Sequence, residues 1–481
     1  MAVYYHGIRV SEEETALTMP VNGTSALQVI FGTAPINLAA NPAESVNVPK
    51  LCYSFAECVE YFGYSDDFEK YTLCQSMYAN FKLFAVAPIV LVNVLDPEKH
   101  VKENAETQYT VTAGQVFVGI QGILLDSVKV LSGDEELVAD VDYVASFDSN
   151  GDLIITLIAG GKGDGATTLK VASQSIDPTL VTKEDIIGGY NAITGVETGI
   201  ETVRQVYPRF GYTPGLLLAP GWSHMPEVGA VLASKSEELN GVFRNENLLD
   251  LDTEKAKKYT DCKQVKEDSG YQVKHSIVLW PMQKVDDKIF YYSAIYGALV
   301  AHMDATNDDV PNLYPSNKLL GTTGAVLADG TEVVLDQTQA NVLNGQGIVT
   351  ALNDSGWKAW GNNMACYPGV TDPKDRWIGC RRFFSWWANS FILTYKEKVD
   401  DPTNRKLIES ICDTENIRGN SYVSQGKCAG ARIEFTEADN PTTGLLDGKI
   451  KFRQHLAPYT PAEDISNVLA FDPDMLKEAL G

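Results

Sequence analysis

Apolar and polar positions alternate from the first residues, with Tyr4, His6, Ile8 and Val10 on one face and Val3, Tyr5, Gly7 and Arg9 on the other, which predicts a half-buried strand. No partner strand follows it. Ser11, three glutamates and the turn signal Pro20-Val21-Asn22-Gly23 place it on a polar tether, able to pair at a distance. Residues 27–33 read as a buried strand. Ser54-Phe55-Ala56-Glu57 has capping-box spacing, in which hydroxyl and carboxylate satisfy the orphan amides of a helix start, and Gly63 is placed to stop that helix. A second helix over 68–84 leads into 89–95, a continuous apolar run of the kind that buried parallel strands show.

Between 98 and 186 the pattern changes to short β-like runs at 115–120, 127–131, 142–147, 153–158 and 168–172, separated by Gly, Asp and Asn, which predicts a small β-sandwich. The α/β alternation then resumes. Thr194-Gly195-Val196-Glu197 repeats the capping spacing and predicts a helix to about 207. It is followed by a strand at 215–219, a helix from Pro226 to 239, strands at 242–251 and 277–280, a helix at 289–303 and a strand at 348–352. The simplest topology is one α/β core, 21–97 with 187–352, interrupted by the sandwich. A third, α+β region covers 353–465. Its helix at 377–398 carries Phe383, Phe384, Trp386, Trp387, Phe391 and Ile392, apolar over an arc wide enough to need cover on most sides. Two alternating runs, 431–436 and 449–456, predict a hairpin with Ile433, Phe435, Ile450, Phe452 and Leu456 on one face and Lys449, Lys451, Arg453 and His455 on the other. A two-stranded ribbon is marginally stable alone and leaves open edges, so something else should pair with it. Residues 466–481 predict a last short strand, at 468–471, on a tether bounded by Pro461 and Pro473.

Charge narrows the function. With 63 acidic against 39 basic residues the net charge is −24, which repels phosphate backbones and anionic lipid surfaces, so nucleic acid and membrane are not expected partners. Residues 97–190 alone carry 15 acids and 6 bases, the composition of a module facing water. The uncharged stretch 83–95 is too short for a membrane span, and the N-terminus lacks a signal-peptide pattern, so the chain is expected to stay in the cytoplasm where it is made. Eight cysteines without a CxxC pair read as reduced, buried thiols.

Candidate chemistry is sparse. Gly23-Thr24-Ser25-Ala26 and Asp268-Ser269-Gly270 are reminiscent of subtilisin-like serine and aspartate motifs, but such enzymes run Asp, His, Ser, and here Ser25 precedes Asp268 with no suitable histidine segment. The Gly160–Gly165 glycines lack P-loop spacing and precede a strand, which makes them a hairpin turn. The histidines, His6, His100, His224, His275, His302 and His455, share no metal-ligand spacing, and no cofactor is expected. Lys374, Arg376, Arg381, Arg382, Lys396 and Lys398 stand out as a basic cluster in an acidic chain. They are either a solvated helix face with structural pairs or a positive patch that meets an acidic partner.

The segments DIIGGYNAITGVETGI (185–200), TPGLLLAPGWSHMPEVGAVL (213–232), NDDVPNLYPSNK (307–318), GWKAWGNNMACYP (356–368) and RWIGCRRFFSWWANSFILTY (376–395) closely resemble contractile phage tail sheath proteins. NPTTGLL (440–446), PAEDI (461–465), YYHGIRV (4–10) and IFGTAP (30–35) extend the resemblance over essentially the whole chain. It implies a subtilisin-like core without the activity, and an inserted sandwich that faces outward. It also implies a tube-proximal C-terminal domain, an N-terminal linking arm at 1–20 and a C-terminal one at 466–481. Such subunits form stacked six-membered rings around an inner tube, between baseplate and tail-terminator proteins, and their contraction drives the tube through a cell envelope. They are assembled in the host bacterial cytoplasm and end in the virion tail. The arms would be Val3, Tyr4, Tyr5, His6, Ile8 and Val10 at one end and Val468, Leu469 and Phe471 at the other. The accepting sheet would hold Ile433, Phe435, Ile450 and Phe452, with Arg376, Arg381 and Arg382 as tube contacts. A phage-tail-like bacteriocin or injection-system sheath fits the same pattern. A subtilisin-like serine hydrolase and a carbohydrate-binding module are the readings from other classes.

Overall fold

The protein is described by a computed structural model over residues 24–148 and 150–481. Eight strands form its central sheet: β1 (Gln28–Gly32), β2 (Lys50–Cys52), β3 (Ile89–Asn93), β4 (Leu216–Leu218), β5 (Glu246–Asp250), β6 (Ser276–Leu279), β7 (Ile348–Asn353) and β8 (Trp357–Trp360). Their order across the sheet is β2-β3-β1-β4-β5-β6-β7-β8. The six strands from β3 to β7 run parallel, with Gln28 opposite both Ile89 and Leu216, and β2 and β8 close the edges antiparallel. Helices cover both faces of the parallel strands, which is why these read as apolar runs without alternation. Half of the expected capping box forms: Ser54 Oγ accepts from Glu57 N at 3.2 Å, while the Glu57 carboxylate accepts from Tyr53 N at 2.7 Å instead of from Ser54 N, and Gly63, at φ 70°, ends the helix Phe55–Phe62. The next helix starts at Leu73 rather than near 68, because Thr72 N and Thr33 Oγ1 bond at 3.2 Å and hold the preceding turn against the end of β1.

The chain leaves the core after β3 and folds a module with its own apolar centre of Val116, Val130, Tyr143, Leu153, Ile155, Leu169 and Val171, among others. Two sheets enclose it. One orders Val101–Thr110, Thr168–Ile176, Lys129–Ser132 and Glu135–Leu137, and the other Gln115–Val118, Leu153–Leu157 and Tyr143–Phe147. Val101–Thr110 escapes the sequence reading because its mostly exposed residues show no apolar alternation. Pairing with Thr168–Ile176 along its whole length makes it a strand. The Gly160–Gly165 loop is a closed turn, with Gly160 N donating to Asp164 Oδ2 and Lys162 N to Asp142 Oδ1.

Two expected elements take another form. In place of a helix opening at 194, Gly189–Tyr190 pairs with Glu197–Thr198, and a 3-10 helix Gly199–Gln205 follows, continuing as the α-helix Val206–Phe210. Asn191 decides this, because its Oδ1 accepts from the amides of Ile193 and Thr194 and makes a turn where a helix cap is expected. Residues 468–471 pair with no strand among the described residues, and a helix, Pro473–Ala479, follows them, capped by Asp472. The C-terminal region packs the helices Ile378–Tyr395 and Arg405–Ser424 around Phe383, Trp386 and Trp387, with the buried Arg418 guanidinium 4.1 Å from the Trp387 ring centre.

Gly188 carries the Tyr190 hairpin on a conformation that only glycine adopts readily, φ 62° and ψ −147°, and a Cβ there would stand 1.9 Å from Thr198 O. Gly188→Ala is expected to destabilise the protein by roughly 2–4 kcal/mol, read as a lowered midpoint in thermal or denaturant unfolding.

Candidate assembly interface

The C-terminal hairpin pairs Gly430–Glu434 with Arg453–Ala457, Arg432 lying opposite His455 and Ile433 opposite Gln454. The long helix Arg405–Ser424 supports it. Gly419 lets the helix approach, since a Cβ there would be 2.5 Å from Ala431 O, and Ile433 is buried with Tyr395 and Ile411. Asn416 then covers the outer margin of the first strand: its amide donates to Ile433 O at 3.2 Å and accepts from Ile433 N at 3.0 Å. The outer margin of Arg453–Ala457 has no backbone partner among the described residues. The ladder stops earlier than the alternation predicts, so Phe435, Ile450 and Phe452 flank its turn end. Asn440 is the cause, its side chain accepting from Lys451 N at 2.7 Å and donating to Lys451 O at 2.8 Å.

Past the hairpin the chain is held at two points. Tyr314 Oη donates to Tyr459 O at 2.9 Å, and Glu463 Oε2 lies 3.6 Å from the Arg376 guanidinium. From there the apolar residues face solvent, Ile465, Val468, Leu469 and Phe471 being 85, 88, 88 and 79% exposed. Each is a large side chain whose full burial would contribute roughly 1.5–3 kcal/mol. Consecutive exposed apolar residues on an extended segment mark a surface meant for a partner. The N-terminal candidates Val3, Tyr4, Tyr5, His6, Ile8 and Val10 lie outside the described residues.

The basic cluster separates into different roles. Arg381 and Arg382 are buried, 4 and 2% exposed, and cannot touch a tube as the sequence reading expects. Arg381 donates to Asp375 Oδ1 at 2.9 Å, while Lys374 and Lys274 also reach that carboxylate. Burial alone would raise the Asp375 pKa, but hydrogen bonds from these three cations outweigh it and hold the carboxyl well below the usual range. Arg382 pairs with Asp304 and reaches Ser25 O at 3.4 Å. Asp304 is remote from the helix in sequence and Asp375 lies outside it, in the turn that leads into it, so the helix spacing could not show that the charges are taken inside. Arg376 is stacked on Trp377 and Tyr367, 3.9 and 4.3 Å from the ring centres, and its Nε donates to Asn363 at 2.9 Å. Lys396 stands over the Tyr207 ring, 4.8 Å from its centre.

The serine-protease fragments stay apart. Ser25 Oγ donates to Asp304 Oδ2 at 2.6 Å, whereas Asp268 closes the helix Cys262–Asp268 and accepts from Gln264. At the carboxyl ends of the parallel strands, where open α/β sheets commonly bind ligands, Asp250 is buried and accepts from Ser223 Oγ, Ser293 Oγ and Ser293 N. Among the described residues no group of His, Cys, Asp or Glu is arranged to hold a metal, and no helix is long and apolar enough to cross a membrane. The eight cysteines are unpaired, all buried except the half-buried Cys412.

Asp309 lies 3.4 Å from Ser25 Oγ, and its pKa is pushed up to about 7 by burial and by the Asp304 charge, against the Ser25 hydrogen bond and Arg382. A carboxyl whose folded pKa exceeds its unfolded value binds more protons when folded, so stability falls as pH rises from about 4 to about 7. Asp309→Asn is expected to flatten that fall, raising the melting temperature at pH 8 and leaving it little changed at pH 4, as differential scanning calorimetry can check.

Relatives share this architecture. The tail sheath protein of Burkholderia phage BcepMu is 26% identical over 485 residues, covering 97% of this chain and 96% of that protein. The tail sheath protein of Escherichia phage P2 is 25% identical over 341 residues, 64% of this chain and 80% of that protein. The contracted helical sheath of the anti-feeding prophage superposes with a TM-score of 0.58 at 14% identity, over 98% of this chain and all of that one. The contracted PVC sheath of an extracellular contractile injection system gives 0.56 at 15% identity, over 99% of each chain. No family model matches. A curated relative that spans nearly the full length and a mixed α/β fold shared with solved sheaths lead to one conclusion: along almost its whole length the chain is similar to contractile tail sheath proteins.

Proposed function

We propose that copies of this chain polymerise as stacked hexameric rings around an inner tube, between a baseplate and a tail terminator, and that contraction of the lattice drives the tube through a cell envelope. The observation that carries this reading is the pairing of two deficits in one subunit: the open margin of Arg453–Ala457 and the exposed apolar run from Ile465 to Phe471. Each deficit can be met by another copy. An extended segment added to an open strand margin gains main-chain hydrogen bonds worth roughly 1 kcal/mol each net, plus apolar burial. Val468–Phe471 supplies one such strand and Val3–Val10 the other, and tethers let the bodies move while the links hold. The free margin is the one not covered by Asn416, and because Ile433 turns its backbone groups outward to Asn416, its partner Gln454 and then Leu456 turn theirs to the open side, where the added strand pairs.

In this reading the central sheet is a subtilisin-like core reused as a structural body, a proposal supported by its strand order and its parallel run. The insert at 98–186, strongly acidic, faces outward, and the region 353–465 lies towards the tube. Assembly takes place in the host bacterial cytoplasm, and the product is part of the virion. The relative from Burkholderia phage BcepMu, which covers 97% of this chain, favours a phage tail over a bacteriocin or injection system.

Electron microscopy of the purified chain is expected to show tubes with six-fold discs. Ending the chain after Asp464, or deleting residues 1–12, should leave a folded subunit that forms no ordered tubes. Normal tubes from either truncation would refute the linking role of that end.

A further inference from the structure

The two chain ends are fixed to the body at neighbouring points. Near the N-terminal end, Ser25 Oγ donates to Asp304 Oδ2 at 2.6 Å, and Arg382 bridges Asp304 and Ser25 O. Near the C-terminal end, Tyr314 Oη donates to Tyr459 O and lies 3.3 Å from Cys380 Sγ, while Arg376 faces Glu463. Cys380 and Arg382 stand in the same turn of the helix Ile378–Tyr395. Asp304 and Tyr314 belong to one short stretch of chain.

That stretch is built to be stiff. Asp308 and Asp309 both take φ 57°, a left-handed conformation costly for two consecutive non-glycine residues. Asn307 Nδ2 donates to Val310 O and Asn312 Oδ1, both at 2.7 Å, and holds the turn closed. Lys427 Nζ, at the end of the long helix, donates to Asn307 O and Asp308 Oδ2, both at 2.8 Å. Val310 is buried among Phe383, Trp386 and Trp387. A turn clamped on several sides transmits displacement because packed side chains shift between discrete arrangements rather than deforming freely.

We propose that residues 304–314, together with the start of the helix Ile378–Tyr395, form a single joint holding the roots of both chain ends, so that a pull on one end reaches the other without crossing the insert or the width of the central sheet. Its mechanical meaning rests on the reading of the two ends as links between copies; the coupling itself does not. The joint gives NDDVPNLYPSNK, at 307–318, a physical role that its composition does not suggest.

Hydrogen exchange read by mass spectrometry on the full chain tests the coupling. Tyr314→Phe keeps the ring and removes the hydroxyl that holds Tyr459. Exchange in residues 457–465 is expected to rise about fivefold, the change that losing one net hydrogen bond makes in a local opening equilibrium, and exchange in residues 24–28 to rise with it. Ser25→Ala should do the reverse, loosening 457–465 from the other side. Lys162→Gln, in the insert, should move neither. Should Tyr314→Phe fold poorly, Glu463→Gln on the solvent side supplies the same comparison. Exchange that changes only at the altered end, in both directions, would overturn the joint and leave the linking role intact. Ordered tubes from the chain ended after Asp464 would overturn the linking role and leave the joint standing.

Discussion

The contact between Arg382 and Asp304 sets the arrangement of this subunit. It is a charge pair closed off from solvent, and it joins the first long helix of the C-terminal region to the last long helix of the core, with the root of β1 attached through Ser25. A buried pair of this kind adds little net stability over an apolar contact of the same shape, but losing one partner leaves an uncompensated charge inside. Its value lies in specifying one docking geometry. The neighbouring Arg381, paired with Asp375, does the same for the turn leading into that helix. Two arginines that look from the sequence like a surface patch thus act as internal registration.

With that geometry fixed, the edges of the central sheet and of the C-terminal hairpin differ in how they are finished. The end strands of the central sheet run antiparallel, and at the carboxyl end of β5 the carboxylate of Asp250 is held by Ser223 and Ser293. The C-terminal hairpin is different. Asn416 closes one margin with a side-chain amide, which leaves a single direction in which the sheet can grow.

The parts legible in the sequence are those governed by local spacing. The buried parallel strands, the Ser54 cap, the break into short β runs and the alternation of the hairpin all follow from periods of 2 or 3.6 and from turn chemistry, which depend on neighbours a few residues away. The polar strand Val101–Thr110 was invisible because its order comes from Thr168–Ile176 across the module. The helix expected at 194 yields to a turn because an asparagine side chain competes with the backbone for the same amides.

The sequence by itself determined that this chain is a multipart α/β protein and that it resembles sheath proteins along its length. Tertiary structure alone decided which charges are inside and which margin of the hairpin is open. The physical reason is distance along the chain: Ser25, Asp304 and Arg382, or Tyr314, Cys380 and Tyr459, meet only after folding, and no local pattern encodes whether an arginine finds a carboxylate or water.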